Sequence, residues 1–258
     1  MKIATWNVNS VRARLSNITD WLKSTAPDVL VMQEIKCETD AFPAMEFQAL
    51  GYKTHVLGQK SYNGVALLSR EAICDVQEGL PLYGGTEDLQ ARYIEATISG
   101  VRIANLYLPN GNPMDTDKYA YKLAWMKRLH RRMGELLKTE MPVVLAGDYN
   151  IIPAATDVYD PKGWEGDALY HPKSRAQFQR LLALGYTEAF RALHPKQEKA
   201  YTFWDYQAGA WPRNNGLRID HFLLSPEAAD RMVSCTIDAL PRAVDKASDH
   251  TPVILELR

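Results

Sequence analysis

Two mixed β-sheets packed face to face, with helices covering their outer faces, are what this sequence predicts, and three observations carry the prediction. The first is the stretch at 143–150, Val-Val-Leu-Ala-Gly-Asp-Tyr-Asn, a short apolar run behind Pro142 that ends in a glycine, a carboxylate and a carboxamide. Too short for an independent helix, it reads as a buried strand with polar groups at its tip. The second is a strand, helix, strand plan at 2–34 that recurs about a hundred residues on, where Arg102-Ile103-Ala104-Asn105 echoes Lys2-Ile3-Ala4-Thr5. The third is the meander between the two copies, punctuated by Gly51, Gly58 and Asn63-Gly64, which is antiparallel in style and makes each half a mixed sheet.

In chain order, residues 2–8 alternate around Ile3, Trp6 and Val8 and form a strand ending at Asn7 and Asn9. After a basic link with Arg12 and Arg14, the residues Leu15, Ile18, Trp21 and Leu22 follow helical spacing until Pro27 stops the helix. A buried strand at 28–33 then delivers Glu34. Strands follow at 52–57, 65–69 and 73–77, with Asn63-Gly64 as a hairpin-like turn signal; 80–90 reads as a surface loop and 92–98 as another strand. In the second copy the strand runs out at Tyr107, Pro109 and Asn110. A helix over about 119–138 buries Leu123, Met126, Leu129, Met133, Leu136 and Leu137, and the 143–150 strand completes the unit. Residues 153–173 form a long loop rich in Pro, Gly and Asp, of the kind that is either functional or disordered. Ser174 and Gln177 predict a capping-box start for a helix carrying Phe178, Leu181 and Leu182 and closed by Gly185. The aromatic run at 201–206 is either core or a stacking platform. A strand at 217–224 sets Arg218 and Asp220 on one face, Pro226 opens a short helix to about Val233, and the last strand, 253–257, follows Ser248-Asp249-His250. No linker, charge block or low-complexity tract divides the chain, so 1–258 reads as one domain.

With 258 residues, 46% of them hydrophobic, the chain buries a sizeable core. No segment is apolar enough to span a bilayer, so no membrane is expected, and 1–6 alternate into a strand instead of a secretory signal. Cys37, Cys74 and Cys235 have no metal-ligand spacing and leave one over from any pairing, which suits a reducing cytosol and a cytoplasmic location. A net charge of -1 excludes a strongly basic nucleic-acid coat. Any polyanion partner must then be held by local basic patches or through metal ions.

The strand tips deliver four carboxylates (Glu34, Asp148, Asp220, Asp249), two carboxamides (Asn7, Asn150), the phenol of Tyr107 and the imidazole of His250. Ligands of α/β sheets bind beyond the carboxyl ends of strands. Asp148 and Asn150, two apart on extended chain, share a face. Hard oxygen donors without cysteine or paired histidines suit Mg²⁺ or Mn²⁺, and such a site fits phosphoryl chemistry. His250 adds a proton-handling or charge-stabilising group. Each residue alone has a plainer reading: a turn for Gly147-Asp148-Tyr149-Asn150, a capping pair for Asp249-His250, an edge aromatic for Tyr107, an ion pair with Arg218 for Asp220. The joint pattern decides, because five separate strand ends offer one compatible chemistry.

Trp6-Asn7-Val8-Asn9, Gln33-Glu34-Ile35-Lys36-Cys37, Tyr107-Leu108-Pro109-Asn110, Gly147-Asp148-Tyr149-Asn150, Leu217-Arg218-Ile219-Asp220 and Ser248-Asp249-His250 together resemble the exonuclease III class of abasic-site DNA endonucleases, in the endonuclease/exonuclease/phosphatase superfamily. The resemblance spans nearly the whole chain and implies a DNase I-like four-layer α/β sandwich. It implies hydrolysis of the phosphodiester 5′ to an abasic deoxyribose, leaving a 3′-hydroxyl, often with 3′-exonuclease, 3′-phosphatase or 3′-phosphodiesterase activity. The implied partner is double-stranded DNA with abasic sites or blocked 3′ ends, met by a monomer, and the implied cofactor is Mg²⁺, with Mn²⁺ able to substitute.

By the resemblance, Glu34 holds the metal with Asn7 and, through outer contacts, Asp249, while Asp148, Asn150 and His250 border the same ion. Asp148 and Asn150 position or activate water or protonate the leaving oxygen; Tyr107 and His250 bind the scissile phosphate, and Asp220 orients His250. Phe203 and Leu217 look like walls of the sugar pocket, with Asn110 and Arg218 as further substrate contacts. Leu217 stands where several relatives carry Trp, and Asn112 where some carry an intercalating Arg. DNA grip is expected from Arg12, Arg14, Lys36, Lys60, Lys162, Lys173, Trp164 and Trp211. The rival readings are a less selective DNase or another phosphoesterase on the same scaffold, and a non-catalytic nucleic-acid-binding module. Against the last, none of the metal or phosphate groups is missing.

Overall fold

The apolar alternations become strands and the helical stripes become helices in the computed structural model, which describes residues 1–85 and 88–258. In chain order these are β1 (Lys2–Asn7), α1 (Leu15–Thr25), β2 (Val29–Gln33), α2 (Ala44–Gln48), β3 (Lys53–Leu57), β4 (Val65–Ser69), β5 (Cys74–Glu78), β6 (Tyr93–Ile98) and β7 (Val101–Tyr107). They continue with α3 (Asp117–Leu137), β8 (Val143–Asp148), α4 (Pro172–Leu182), β9 (Thr187–Glu188), α5 (Ala189–Leu193), β10 (Asp220–Leu224), α6 (Pro226–Ala229), β11 (Met232–Ile237) and β12 (Val253–Leu257).

Two six-stranded sheets result, in the orders β11-β12-β1-β2-β4-β3 and β5-β6-β7-β8-β10-β9. Each has one parallel pair at its centre, β1 with β2 and β7 with β8, because each pair is joined by a crossover helix; antiparallel neighbours flank both. The repeated plan is therefore a pseudo-symmetric pair of sheets, as expected from the echo between the two copies. Ile3, Val29, Val31 and Leu67 of one sheet meet Ile103, Val144, Ala146 and Phe222 of the other in a shared core. The outer face of the first sheet packs Trp6, Leu30 and Met32 against Ile18, Trp21 and Leu22 of α1. That of the second packs Leu145 and Leu223 against Trp125, Met126 and Leu129 of α3 and Phe178 of α4. Helix, sheet, sheet, helix makes four layers.

A buried polar bridge pins the sheets just below the strand tips. Asn105 Nδ2 donates to the carbonyls of Met32 and Ala66 in the facing sheet, both at 2.9 Å, and Gln33 Nε2 donates to Asn105 Oδ1 at 2.7 Å and to Thr5 Oγ1 at 3.0 Å. Polar groups in a dry interface are stable only when paired, so this bridge favours one sliding position of sheet on sheet.

Some expectations are corrected. Helix α4 begins at Pro172, with the His171 side chain accepting the Lys173 N–H; Ser174 lies inside the first turn and donates to the Ala168 carbonyl at 2.6 Å. Proline needs no N–H partner at a helix start, so it and not the capping box sets the boundary. Helix α6 stops at Ala229, and the chain then forms β11, which the sequence did not announce. Only Cys235 of that edge strand is fully buried, so its alternation is faint. On α3, Trp125 and Lys122 are buried where Leu123 and Leu137 are half-buried. Asn63 and Gly64 both adopt left-handed φ as expected of a turn, but they close a longer connection, 58–64, between β3 and β4. Residues 86 and 87 of the 80–90 loop lie outside the described residues; the rest of it carries neither helix nor strand.

Candidate active site

Strand pairing assembles the site. Parallel β1 and β2 put Asn7 beside Gln33, so Glu34 emerges next to Asn7. Parallel β7 and β8 put Tyr107 beside Asp148, and antiparallel β10 puts Asp220 directly opposite Asp148. The chain turns away at once after both acidic tips, with Glu34 and Asn150 at φ +51° and +46°. His250, ahead of β12, is fastened from behind: its N–H donates to Ser248 Oγ, whose hydroxyl donates to the Asn7 carbonyl, and Trp6 Nε1 donates to the His250 carbonyl.

Asn7 ties the two halves together. Its Nδ2 donates to Glu34 Oε1 at 2.9 Å and to Asp148 Oδ2 at 3.0 Å, while its Oδ1 accepts the Asn9 N–H at 3.0 Å. Its amide nitrogen thus bridges the two carboxylates. Glu34 Oε1 also accepts from the Tyr107 hydroxyl at 2.9 Å, and Oε2 pairs with Lys36 Nζ at 2.9 Å. Asp148 Oδ1 accepts the Asn150 N–H at 2.8 Å. His250 Nδ1 lies 2.9 Å from Asp220 Oδ2, and its Nε2 lies 3.7 Å from Asp148 Oδ2. Glu34, Asp148 and His250 each present a ligand-type atom, all within 4.8 Å of one another.

Burial pushes the Asp148 carboxyl up to about 7, the nearby His250 opposing and Asp220 adding to the rise. Burial works against a charged His250, yet the carboxylates of Asp220 and Asp148 prevail and lift it to about 10. Burial likewise works against a charged Glu34, but the Lys36 ammonium and the Asn7 amide hold its carboxyl below the usual value. Burial, then the Glu34 and Asp148 charges, pushes the Tyr107 phenol far up. At neutral pH the site thus presents an imidazolium and a neutral phenol as donors.

These groups floor a cavity of about 300 Å³ whose walls include Trp164, Leu169, Phe203, Leu217 and Ile219. Phe203 packs edge-on against His250, ring centroids 5.0 Å apart, and pairs with Leu217 through a β-bridge. The other expected residues sort as follows. Asn110 reaches the cavity and donates to Asn150 Oδ1 at 3.1 Å; Asp249 sits at the rim, accepting from Asn9 Nδ2 at 3.0 Å, outside the tight trio. Asn112 donates to both oxygens of Asp167 at 3.1 Å, which makes it part of the cavity wall.

Arg218 is a correction. It is 1% exposed and points away from the cavity, with Nε 2.8 Å from Asp157 Oδ1 and an Nη 2.8 Å from Glu188 Oε1, so it cannot touch substrate. Because it precedes β10, it does not share the face of Asp220, whose partner is His250. Of the aromatic run, Tyr201 and Trp204 are core and Phe203 faces the cavity. Trp164 lines the cavity, whereas Trp211 packs on Trp204 elsewhere. Arg12, Lys60, Lys162 and Lys173 are exposed, while Arg14 is engaged by the Asn9 carbonyl at 2.6 Å. Lys122, Asn105 and Asn9 were not singled out as site residues, although a lysine on an apolar helix stripe was a visible signal.

The donors fit a hard divalent cation: carboxylate oxygens close enough to share one ion, in a set without cysteine. Acids and an imidazolium gathered at the ends of two packed sheets, open to one cavity, define a metal-dependent phosphodiester hydrolase. The chain belongs to the endonuclease/exonuclease/phosphatase family, whose profile matches residues 4–250, and within it to the exonuclease III class. It is 32% identical over 269 aligned positions to exodeoxyribonuclease III of Haemophilus influenzae, covering all of both chains, and 33% identical to the DNA repair nuclease APEX1 of Danio rerio, covering all of this chain and 82% of that one. Among solved structures, a 3′ phosphatase from Neisseria bound to a product DNA hairpin superposes with TM-score 0.96 at 42% identity, covering 100% of this chain and 99% of that one. An AP endonuclease from Archaeoglobus fulgidus superposes with TM-score 0.94 at 38% identity and the same coverage. The fold is DNase I-like, as expected.

Proposed function

We propose that this protein, acting as a monomer, cleaves double-stranded DNA on the 5′ side of an abasic deoxyribose, leaving a 3′-hydroxyl, with Mg²⁺ as the ion and Mn²⁺ able to replace it. The observation that carries the reading is one cavity that brings Trp164, Phe203 and Leu217 together with the charged cluster. A sugar without a base costs least to flip out of the duplex, and such a cavity accepts it while its phosphate rests among polar groups.

Glu34 would hold the ion, with Asp249 behind it. When bound, that ion offsets charge developing on the phosphate oxygens. His250, charged through its two carboxylate neighbours, would donate to the scissile phosphate. Asp220 aims the imidazolium, and Tyr107 donates from the other sheet. Asp148, with Oδ1 held by the Asn150 N–H and Oδ2 accepting from Asn7, would take a proton from water through a remaining lone pair, and its pKa of about 7 suits that task. Asn7 keeps Glu34 and Asp148 apart and paired. Water attacks phosphorus in line as the bond to the 3′ oxygen breaks; that oxygen takes up the proton the water gave to Asp148, and no covalent enzyme intermediate forms.

A second reading is an enzyme chiefly of 3′ ends, favoured by the higher identity to the Neisseria 3′ phosphatase than to the Archaeoglobus endonuclease. Three duplexes in Mg²⁺ separate the readings: one with an internal tetrahydrofuran abasic analogue, one nicked with a 3′-phosphate, one intact. Cleavage at the analogue about 100-fold or more faster than on intact duplex is expected from differential transition-state binding. Rapid 3′-phosphate removal without that preference moves the assignment to end processing, and no reaction on any duplex rejects both.

A further inference from the structure

Helix α3 buries a stripe of Tyr119, Trp125, Met126, Leu129, Met133 and Leu136, and in the midst of it stands Lys122, with no exposed surface at all. Its ammonium does not return to solvent. It donates to the carbonyl of Pro109 at 3.1 Å and of Asn150 at 2.7 Å. Those carbonyls lie on the two segments that leave the parallel strands β7 and β8, just beyond Tyr107 and Asp148. The ladder between the strands reaches its last bond at Leu108 N to Asp148 O, and Pro109, without an N–H, cannot extend it.

Beyond that bond the two segments are joined by side chains. Asn150 Nδ2 donates to the Leu108 carbonyl at 2.9 Å, Asn110 Nδ2 donates to Asn150 Oδ1, and Lys122 spans the pair from below. The loop wraps its stem so closely that a Cβ on Gly111 would lie 2.7 Å from Lys122 Cδ. An apolar side chain of the same length would fill this place without the cost of desolvating an ammonium, a cost that pushes its pKa down to about 7. A charge kept where it costs stability points to a task other than stability.

We infer that Lys122 is a positioning residue: it clamps the Pro109 and Asn150 backbones together and so fixes Asn150, Asn110 and, through the Asn150 N–H, the carboxylate of Asp148. It never touches substrate. The catalytic consequence rests on the function proposed above; the clamp itself does not.

Lys122→Met keeps the length and removes the donor, and Lys122→Gln keeps an N–H. Amide hydrogen exchange in substrate-free protein reads the clamp directly. At Leu108 and Asn150 it should quicken about tenfold or more in the Met variant and less in the Gln variant, while the thermal midpoint holds or rises, since a buried charge is gone. Unchanged exchange at both amides overturns the inference whatever the substrate proves to be. On the abasic-analogue duplex, kcat of the Met variant should fall about tenfold or more with KM within about twofold, and the Gln variant should recover part of the loss. Wild-type kcat in the Met variant, or kcat and midpoint falling together with no recovery by Gln, also overturns it. A wild type that leaves the duplex intact counts against the proposed function alone, because the exchange measurement still decides the clamp.

Discussion

His250 is 4% exposed and lies between two carboxylates, which favour its charged form. Its pKa in the fold, about 10, lies above the ordinary 6.5, so its contribution to stability is complete below pH 6.5 and is lost as pH rises through 10. The thermal midpoint in EDTA should therefore fall between pH 7 and pH 10, by about 2–4 °C for each kcal/mol lost. Asp220→Asn should flatten that slope. Equal slopes for the two proteins would show that the imidazolium is not held by Asp220. At this scale the residue types were legible, and the family resemblance gave the pairing of His250 with Asp220, thirty residues away, but not the partners of Arg218. Arg218 and Asp220 are two apart, yet they serve a buried ion network and the site respectively. Nearness in the chain does not give Arg218 and Asp220 a common partner, because β10 begins between them.

Strand β8 brings Asp148 to its tip, and Gly147 is what lets it lie so close to β7. A Cβ there would sit 1.9 Å from the Leu106 carbonyl oxygen, a backbone atom that cannot yield without breaking the parallel pair. Gly147→Ala should lower unfolding free energy on the order of 2–4 kcal/mol and take activity with it, as expected of overpacking against backbone. Gly166→Ala, where a Cβ meets nothing within 4 Å, is the control and should leave the denaturation midpoint unmoved. Equal midpoints for the two variants would refute the close-approach argument. Central strands and both crossover helices were readable because burial on both faces or on one stripe leaves a strong apolar period. Edge strand β11 was not, since most of it faces solvent and its sequence is correspondingly free.

At the scale of the molecule, the two sheets each carry half of a site that exists only when they pack: Asn7 and Glu34 come from one, Tyr107, Asp148 and Asp220 from the other. The charged floor brings oxygens of Glu34 and Asp148 close enough to share one ion. Mg²⁺ should therefore raise the thermal midpoint, by an amount equivalent to about 2.7 kcal/mol at a hundred times its dissociation constant. EDTA should reverse the rise, and Glu34→Gln should abolish it; a rise that survives in Glu34→Gln would place the ion elsewhere. Among the described residues no helix is long and apolar enough to cross a membrane.

Sequence by itself determined the layers, the doubled plan and the list of reactive side chains, because apolar periodicity and strand-end chemistry are local properties of the chain. Tertiary structure alone decided that Asn7 bridges the two acids, that Arg218 faces inward and that Lys122 lies under the segments leaving β7 and β8. Those facts depend on which carbonyls and carboxylates from distant segments arrive beside each side chain, and a buried polar group takes its role from the partners that packing brings to it.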